Sequence, residues 1–200
     1  MRFFACAMLL PLLLFPPAPQ SSATFPVPAD MHETWPGAKL TGADKQLLQK
    51  AVAPELLDED EDSRSGKKYS FDSLDTADIA LGTLGKGVIV LMSGSSLCGT
   101  GGCPIYVYVI EKPGYRKVLG DKRTGPGGWA FAVVNSNTTI PDLVIAASLG
   151  GGLMELGLFR YSGDAFSRQA CEILTAKNPA STLSSWWDPS QVVIEPCGHH

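Results

Sequence analysis

Charge is scarce in this chain of 200 residues. Lys, Arg, Asp and Glu make up 18% of it, with 16 basic against 20 acidic side chains and a net charge of −4. No basic surplus is present to neutralise phosphates, which argues against a generic nucleic-acid binder. Low charge beside 44% hydrophobic content excludes a disordered chain and a coiled coil. Histidine is scarcer still. His32, His199 and His200 all lie near a chain end, so a Ser–His or Cys–His pair would need an end to fold back. The chain has no Gly-x-Ser-x-Gly elbow and no Cys-x2-Cys redox motif. A long apolar run is missing too. The run Phe3 to Phe15 is interrupted by Pro11 and falls short of the roughly 20 residues a spanning helix needs.

That run instead has the form of a secretory leader. It follows Met1-Arg2 and precedes Ser21-Ser22-Ala23, with small side chains at the −3 and −1 positions of a cleavage site after Ala23. Residues 1–23 are therefore expected to leave the mature chain, which is periplasmic or secreted with no membrane span. Of five cysteines, Cys6 would leave with the leader. Cys98, Cys103, Cys171 and Cys197 remain. In an oxidising compartment four cysteines make two disulfides, with three possible connectivities. Gly99-Thr100-Gly101-Gly102 can turn tightly enough to join Cys98 to Cys103. Cys171 and Cys197 then pair by elimination. Their loop of about 25 residues makes the bridge worth roughly 3 kcal/mol or a little more.

Glycine (21) and proline (15) are abundant, as in a chain of short strands joined by turns. Thr24 to Pro36 is proline-rich and expected to be extended. Leu40 to Ala53 is expected to be a helix, with Thr41 as N-cap, Leu47, Leu48, Ala51 and Val52 as its apolar stripe, and Pro54 as its end. The acidic stretch from Leu56 to Lys68 is expected to be a solvated loop. Strands are expected at Gly87–Ser93, Ile105–Ile110, Tyr115–Leu119, Trp129–Val134, Asp142–Ser148, Leu153–Tyr161, Phe166–Cys171 and Gln191–Ile194. In the fourth, Trp129, Phe131 and Val133 should share one face and Ala130 and Ala132 the other. Setting Ser93 on Ser148 aligns GKGVIVLMSGSS with IPDLVIAASLGG. This internal repeat has the form of a β-propeller blade, or of half of a two-unit sheet. The expected fold is mainly β: an antiparallel meander with propeller-blade-like repeats and one N-terminal helix. Residues 24–68 form the extended segment, helix and acidic loop, and 69–200 the β domain.

The segment VLMSGSSLCGTGGCPIYVYV, residues 90–109, resembles a family of secreted bacterial β proteins in which a strand enters a Cys-Gly-Ser/Thr-Gly-Gly-Cys loop and returns as a second strand. The similarity extends over roughly residues 75–172, including Pro141 to Ser148 and Leu158 to Phe166. It implies a fold and a compartment, and no activity. That family often carries an FG-GAP-like calcium turn before the loop. Asp78 to Gly87 keeps Asp78 and the glycines of such a turn without its other carboxylates. The Cys-x4-Cys loop is also similar to that of the inhibitor of vertebrate lysozyme, where a histidine between the cysteines enters the lysozyme cleft. Gly99 to Gly102 contains no histidine, so the resemblance implies a disulfide-stiffened plug and not that mechanism.

Other chemistries fit less well. A phosphate cradle needs a following Lys and a helix, whereas Pro104 opens a strand. Asp58, Asp60 and Asp62 match the first spacings of an EF-hand loop, but Ser63 and Tyr69 stand where Gly and Glu are required. A zinc or copper site at Cys197, His199 and His200 would need a free thiolate. Asp142 and Glu155 are candidates for a glycosidase pair only if they lie roughly 5 to 10 Å apart. Trp35, Trp129, Trp186 and Trp187 could form a binding platform, although aromatics this few are more often core. The expected function is non-enzymatic binding of a protein or glycan of the cell envelope, without cofactor or metal. Gly99, Thr100, Gly101 and Gly102 are the expected contact residues, and inhibition of a cell-wall-active enzyme the expected form. The alternatives are a carboxylate-dependent cell-wall hydrolase and a structural envelope protein.

Overall fold

Apolar side chains occupy both faces of the central strands, and this decides the architecture. The computed structural model describes residues 25–62, 71, 74–93, 98–120, 126–135, 138–178 and 186–198, with side chains 57–62 outside that description. Helix α1 (Gly42–Asp62) precedes strands β1 (Asp75–Ala80), β2 (Lys86–Leu91), β3 (Cys103–Glu111), β4 (Gly114–Leu119) and β5 (Gly127–Gly128). Then follow β6 (Ala130–Val134), β7 (Asp142–Gly150), β8 (Leu153–Ser162), β9 (Ala165–Ala176) and β10 (Val192–Pro196). Strands β1 to β4 form one antiparallel meander, with β5 added to β3, and β6 to β10 form a second. The expected mainly-β meander with one helix is therefore the fold.

The two sheets pack face to face. Ile89 and Leu91 of β2, Ile105, Val107 and Val109 of β3, and Leu143 and Ile145 of β7 share one buried core. Their neighbours point the other way, because successive strand residues alternate faces. Val88, Val90, Tyr106 and Tyr108 meet Leu48 and Val52 of α1. Val144, Ala146, Met154 and Leu156 meet Trp186 and the partly buried Phe25, Val27 and Met31. Four layers result: helix, sheet, sheet, and a coat made by the two ends of the chain. The aligned repeat segments supply β2 of one sheet and β7 of the other.

Residues 25–40 lace the layers together. His32 exchanges backbone hydrogen bonds with Phe131 on edge strand β6, at 2.7 and 3.2 Å. Further on, the Gly37 N–H donates to the Thr76 carbonyl, and the Lys39 N–H donates to Asp78 at 3.0 Å. Asp78, the residue shared with a calcium turn, thus anchors the strap to β1.

Two local expectations are corrected. Pro54 does not end α1, which runs on through Asp62, so the acidic residues Asp58, Asp60 and Asp62 belong to its final turns rather than to a loop. A proline removes one N–H from the helix ladder. Here Leu56 beyond it packs on the first sheet and Glu55 pairs with Lys117, which holds the next turn in place. Trp129 does not share a face with Phe131 but packs beside Ala130 and Ala132. It lies in a bend just before β6, where strand alternation has not begun. The stripe on α1 is likewise shifted, with Leu48 and Val52 buried and Leu47 exposed. Residues 1–23, His199 and His200 lie outside the described residues. Among the described residues, no helix is long and apolar enough to cross a membrane.

The N-cap is where it was expected. The Asp44 N–H donates to the Thr41 hydroxyl at 3.2 Å, and that hydroxyl donates to the Asp44 carboxylate at 2.7 Å. Thr41→Ala is expected to destabilise the fold by about 1 kcal/mol, the usual worth of a lost cap, as read from the midpoint of urea unfolding.

Candidate functional site

Both disulfides join the expected partners, Cys98 to Cys103 and Cys171 to Cys197. The first closes its loop against the second sheet. Gly102 has φ +113, and a Cβ there would meet the backbone of Gly128 at 2.5 Å. Gly128 is as tightly placed, since its Cβ would meet the Ala146 carbonyl at 2.7 Å. Two bare backbones therefore stack where the sheets converge. The Ser148 N–H donates to the Gly101 carbonyl at 3.3 Å and ties the loop to β7. Gly99 and Thr100 stay exposed at its tip.

From Gly101 an open cleft of about 710 Å³ runs between the edge of the first sheet and the inner face of the second. Leu119 and Gly120 stand on one wall, and Ile145, Gly157, Phe159 and Phe166 on the other. Its charged groups are Lys117, Glu155 and Arg168. Arg168 pairs with Glu155 at 2.7 Å. Lys117 reaches away from the cleft to Glu55 under α1, at 2.6 Å. A bulge shapes this wall. Arg168 opposes Phe159 and Ala170 opposes Leu158, so Gln169 has no partner across the ladder. The extra residue lets Arg168 and Cys171 both face Glu155, which simple alternation would forbid.

The remaining candidates do not converge. Asp142 is 3% exposed and is held in a bidentate pair by Arg160 at 2.8 and 3.1 Å. Along β7 it lies five residues from Ala147, the partner of Glu155, a span of roughly 17 Å at strand rise. It also shares the outer face with Val144, whereas Glu155 looks into the cleft. The glycosidase spacing is therefore not met by these two. His32 stacks on Phe131 at 5.0 Å, away from the cleft. All four tryptophans are packing residues. Trp35 tilts on Phe131 at 5.0 Å. Trp129 meets Trp187 at 5.7 Å, Trp186 is buried, and the Trp187 indole donates to Glu33. None of them lines the cleft.

Among the described residues, one cluster has the composition of a metal site. Glu155 and the sulfurs of Cys171 and Cys197 lie within 4.8 Å of one another. The two sulfurs are bonded to each other, so neither is the thiolate that a metal requires. The same bond removes the thiolate from the Cys197, His199 and His200 motif. Glu155 was a candidate from the sequence, with Asp142 as its partner; Arg168 and the bulge at Gln169 escaped sequence reasoning, because bulge positions leave no periodic mark in a polar stretch such as Ser167-Arg168-Gln169. No protein-family profile matches this chain, and no curated protein or solved structure is similar to it at a significant level.

Proposed function

We propose that this chain is a periplasmic or secreted, non-enzymatic binding protein. Its site is the inter-sheet cleft with the Cys98–Cys103 loop at one end. Its occupant is an apolar segment of another envelope protein, such as a cell-wall-active enzyme that it inhibits. The observation that carries this is the cleft itself: an apolar floor of Ile145, Phe159 and Phe166 beside a disulfide-locked glycine loop. A pocket that is mostly apolar with a few placed charges is the usual form of a binding site. Locking Gly99 to Gly102 in advance reduces the entropy lost on contact, which raises affinity. A hydrolase would want two convergent carboxylates, and among the described residues the cleft lining contains one, Glu155, engaged by Arg168. A glycan would be served by exposed aromatic faces, whereas the tryptophans are used in packing. The likeness of the Cys-x4-Cys loop to the lysozyme-inhibitor plug accords with the inhibitor form.

The test uses Gly101→Trp. The Cβ of residue 101 would have the Ser148 carbonyl as its nearest neighbour, at an ordinary 3.6 Å. The indole therefore crowds the cleft mouth at a cost of less than about 0.5 kcal/mol, as at other surface positions. Native protein immobilised over envelope extract is expected to retain a cell-wall-active enzyme and to lower its lytic activity. Gly101→Trp is expected to do neither while keeping the native circular dichroism spectrum. Equal retention by both proteins would place the site elsewhere. Retention of glycan in place of protein would reject the proposed occupant.

A further inference from the structure

Beside the Cys171–Cys197 bridge stand two charged groups that a simple staple does not need. Glu155 of β8 places a carboxylate oxygen within 4.8 Å of both sulfurs, and all three residues are half-buried. One nitrogen of the Arg168 guanidinium, Nη2, lies 2.7 Å from the Glu155 carboxylate and 3.9 Å from Cys197 Sγ. The bulge at Gln169 is what turns Arg168 and Cys171 to the same side. The backbone under this corner is fixed. Glu155 and Cys171 belong to neighbouring strands of one ladder, and the Cys197 N–H donates to the Cys171 carbonyl at 3.1 Å.

Reduction changes the charge here. A thiolate of a dithiol reductant attacks one sulfur, and the electron pair of the broken S–S bond goes to the other. The second thiol of the reductant then resolves the mixed disulfide. The reductant leaves as a cyclic disulfide, and its two electrons and two protons leave Cys171 and Cys197 as thiols. Ionised, these two thiols and Glu155 carry three negative charges against the one positive charge of Arg168. A divalent cation balances the difference.

We propose that Glu155, Cys171 and Cys197 form a redox-gated binding site for a thiophilic divalent cation, zinc by its chemistry. Thiolates select zinc over the oxygen-seeking magnesium and calcium. Zinc holds sulfur at about 2.3 Å in a tetrahedron, which sets two ligand sulfurs about 3.8 Å apart. The Cα atoms of Cys171 and Cys197 are 5.5 Å apart, so side-chain rotation parts the sulfurs with the strands in place. Metal binding releases the two thiol protons to solvent. Arg168 stays against Glu155 as the outer partner that orients a ligating carboxylate. Three protein ligands leave a fourth position for water, or for a donor group of whatever enters the cleft that Glu155 and Arg168 line. Bridge and metal exclude each other, so oxidation expels the ion and reduction admits it. The site stands apart from the proposed occupant of the cleft, since Gly101→Trp leaves all three ligands in place.

Cobalt(II) is the probe, because its bond to thiolate gives a charge-transfer band that zinc then abolishes by displacement. Cys98→Ser with Cys103→Ser removes the other cysteine pair. In that background, protein reduced with a phosphine, which brings no thiol of its own, is expected to bind one cobalt per chain and to keep its native circular dichroism spectrum. The oxidised protein is expected to show no band. Glu155→Gln keeps both cysteines and the bridge, and is expected to weaken cobalt binding at least about tenfold, the least that even an outer partner of a metal ligand costs. Should the double serine background fail to fold, the native chain serves with Glu155→Gln as the discriminating variant, because Glu155 is grouped with Cys171 and Cys197 and not with the other pair. No band after reduction, a band of equal strength in Cys171→Ser, unchanged affinity in Glu155→Gln, or unfolding of the reduced, cobalt-treated protein would each overturn the proposal.

Discussion

Truncation of Phe131 to alanine is expected to destabilise the protein by about 3–5 kcal/mol, the range for a fully buried phenylalanine. Phe131 is 2% exposed and lies in the core shared by the two sheets. Its ring also carries His32 and Trp35, each at 5.0 Å, and its backbone pairs with His32. Alanine would open a cavity between the sheets and remove the surface on which the strap rests. A loss of this size takes up much of the roughly 5–15 kcal/mol that typically holds a domain together. Urea unfolding measures it, with Val193→Ala at an exposed position of β10 as the control expected to change stability by less than about 0.5 kcal/mol. A loss below about 1 kcal/mol for Phe131→Ala would mean that the sheets do not close on this residue.

The second large effect is expected under α1. Glu55 is buried and Lys117 is its partner at 2.6 Å, with the lysine side chain 36% exposed. The second Glu55 oxygen has no partner, and neither has the buried hydroxyl of Tyr108. Burial raises the Tyr108 pKa, with the Glu55 charge adding to the shift, so the hydroxyl stays neutral. Lys117→Met would keep an apolar stem and delete the charge, including the ammonium that lies 5.5 Å from the centre of the Tyr106 ring. Glu55 would then be a buried carboxylate with no cation. Removing one member of a buried pair costs about 3–5 kcal/mol. Water screens Lys117 in part, so about 2–3 kcal/mol is expected here. Adding Glu55→Leu should restore stability to within about 1 kcal/mol of native, because an apolar pair has nothing left to solvate. The two variants are compared by urea unfolding at neutral pH. A single variant as stable as native would show that Glu55 reaches water without Lys117.

Several elements were legible in the residues alone. GVIVL and IYVYVI are rich in β-branched and aromatic side chains and became β2 and β3, while LVIAAS became the body of β7. Strand β1 was less so. In Asp75 to Ala80 only Ala77 and Ile79 are buried, and no strand was expected there; the resemblance compared Asp78 to Gly87 with a calcium turn. The tertiary contacts explain its polar residues, since Asp78 and Thr76 accept N–H groups of the strap. The disulfide pairing followed from spacing and chain count. The end of α1 did not follow from its proline, because the residues beyond it are held by the sheet and not by the helix ladder.

By itself the sequence determined most of the strands, the two apolar faces of the central ones, and the covalent bridges. Those depend on side-chain alternation, local turn chemistry and short loops, all written in neighbouring residues. Only the tertiary structure decided which apolar face met which partner, because each central strand is apolar on both sides and carries no label for its neighbours. It also decided the cleft. Gly101, Leu119, Glu155 and Arg168 come from four separate parts of the chain, and a single unopposed residue, Gln169, turns Arg168 toward Glu155. The burial of Glu172 beside Phe25, 147 residues away, was decided in the same way, since packing free energy between distant segments leaves no trace in either one alone.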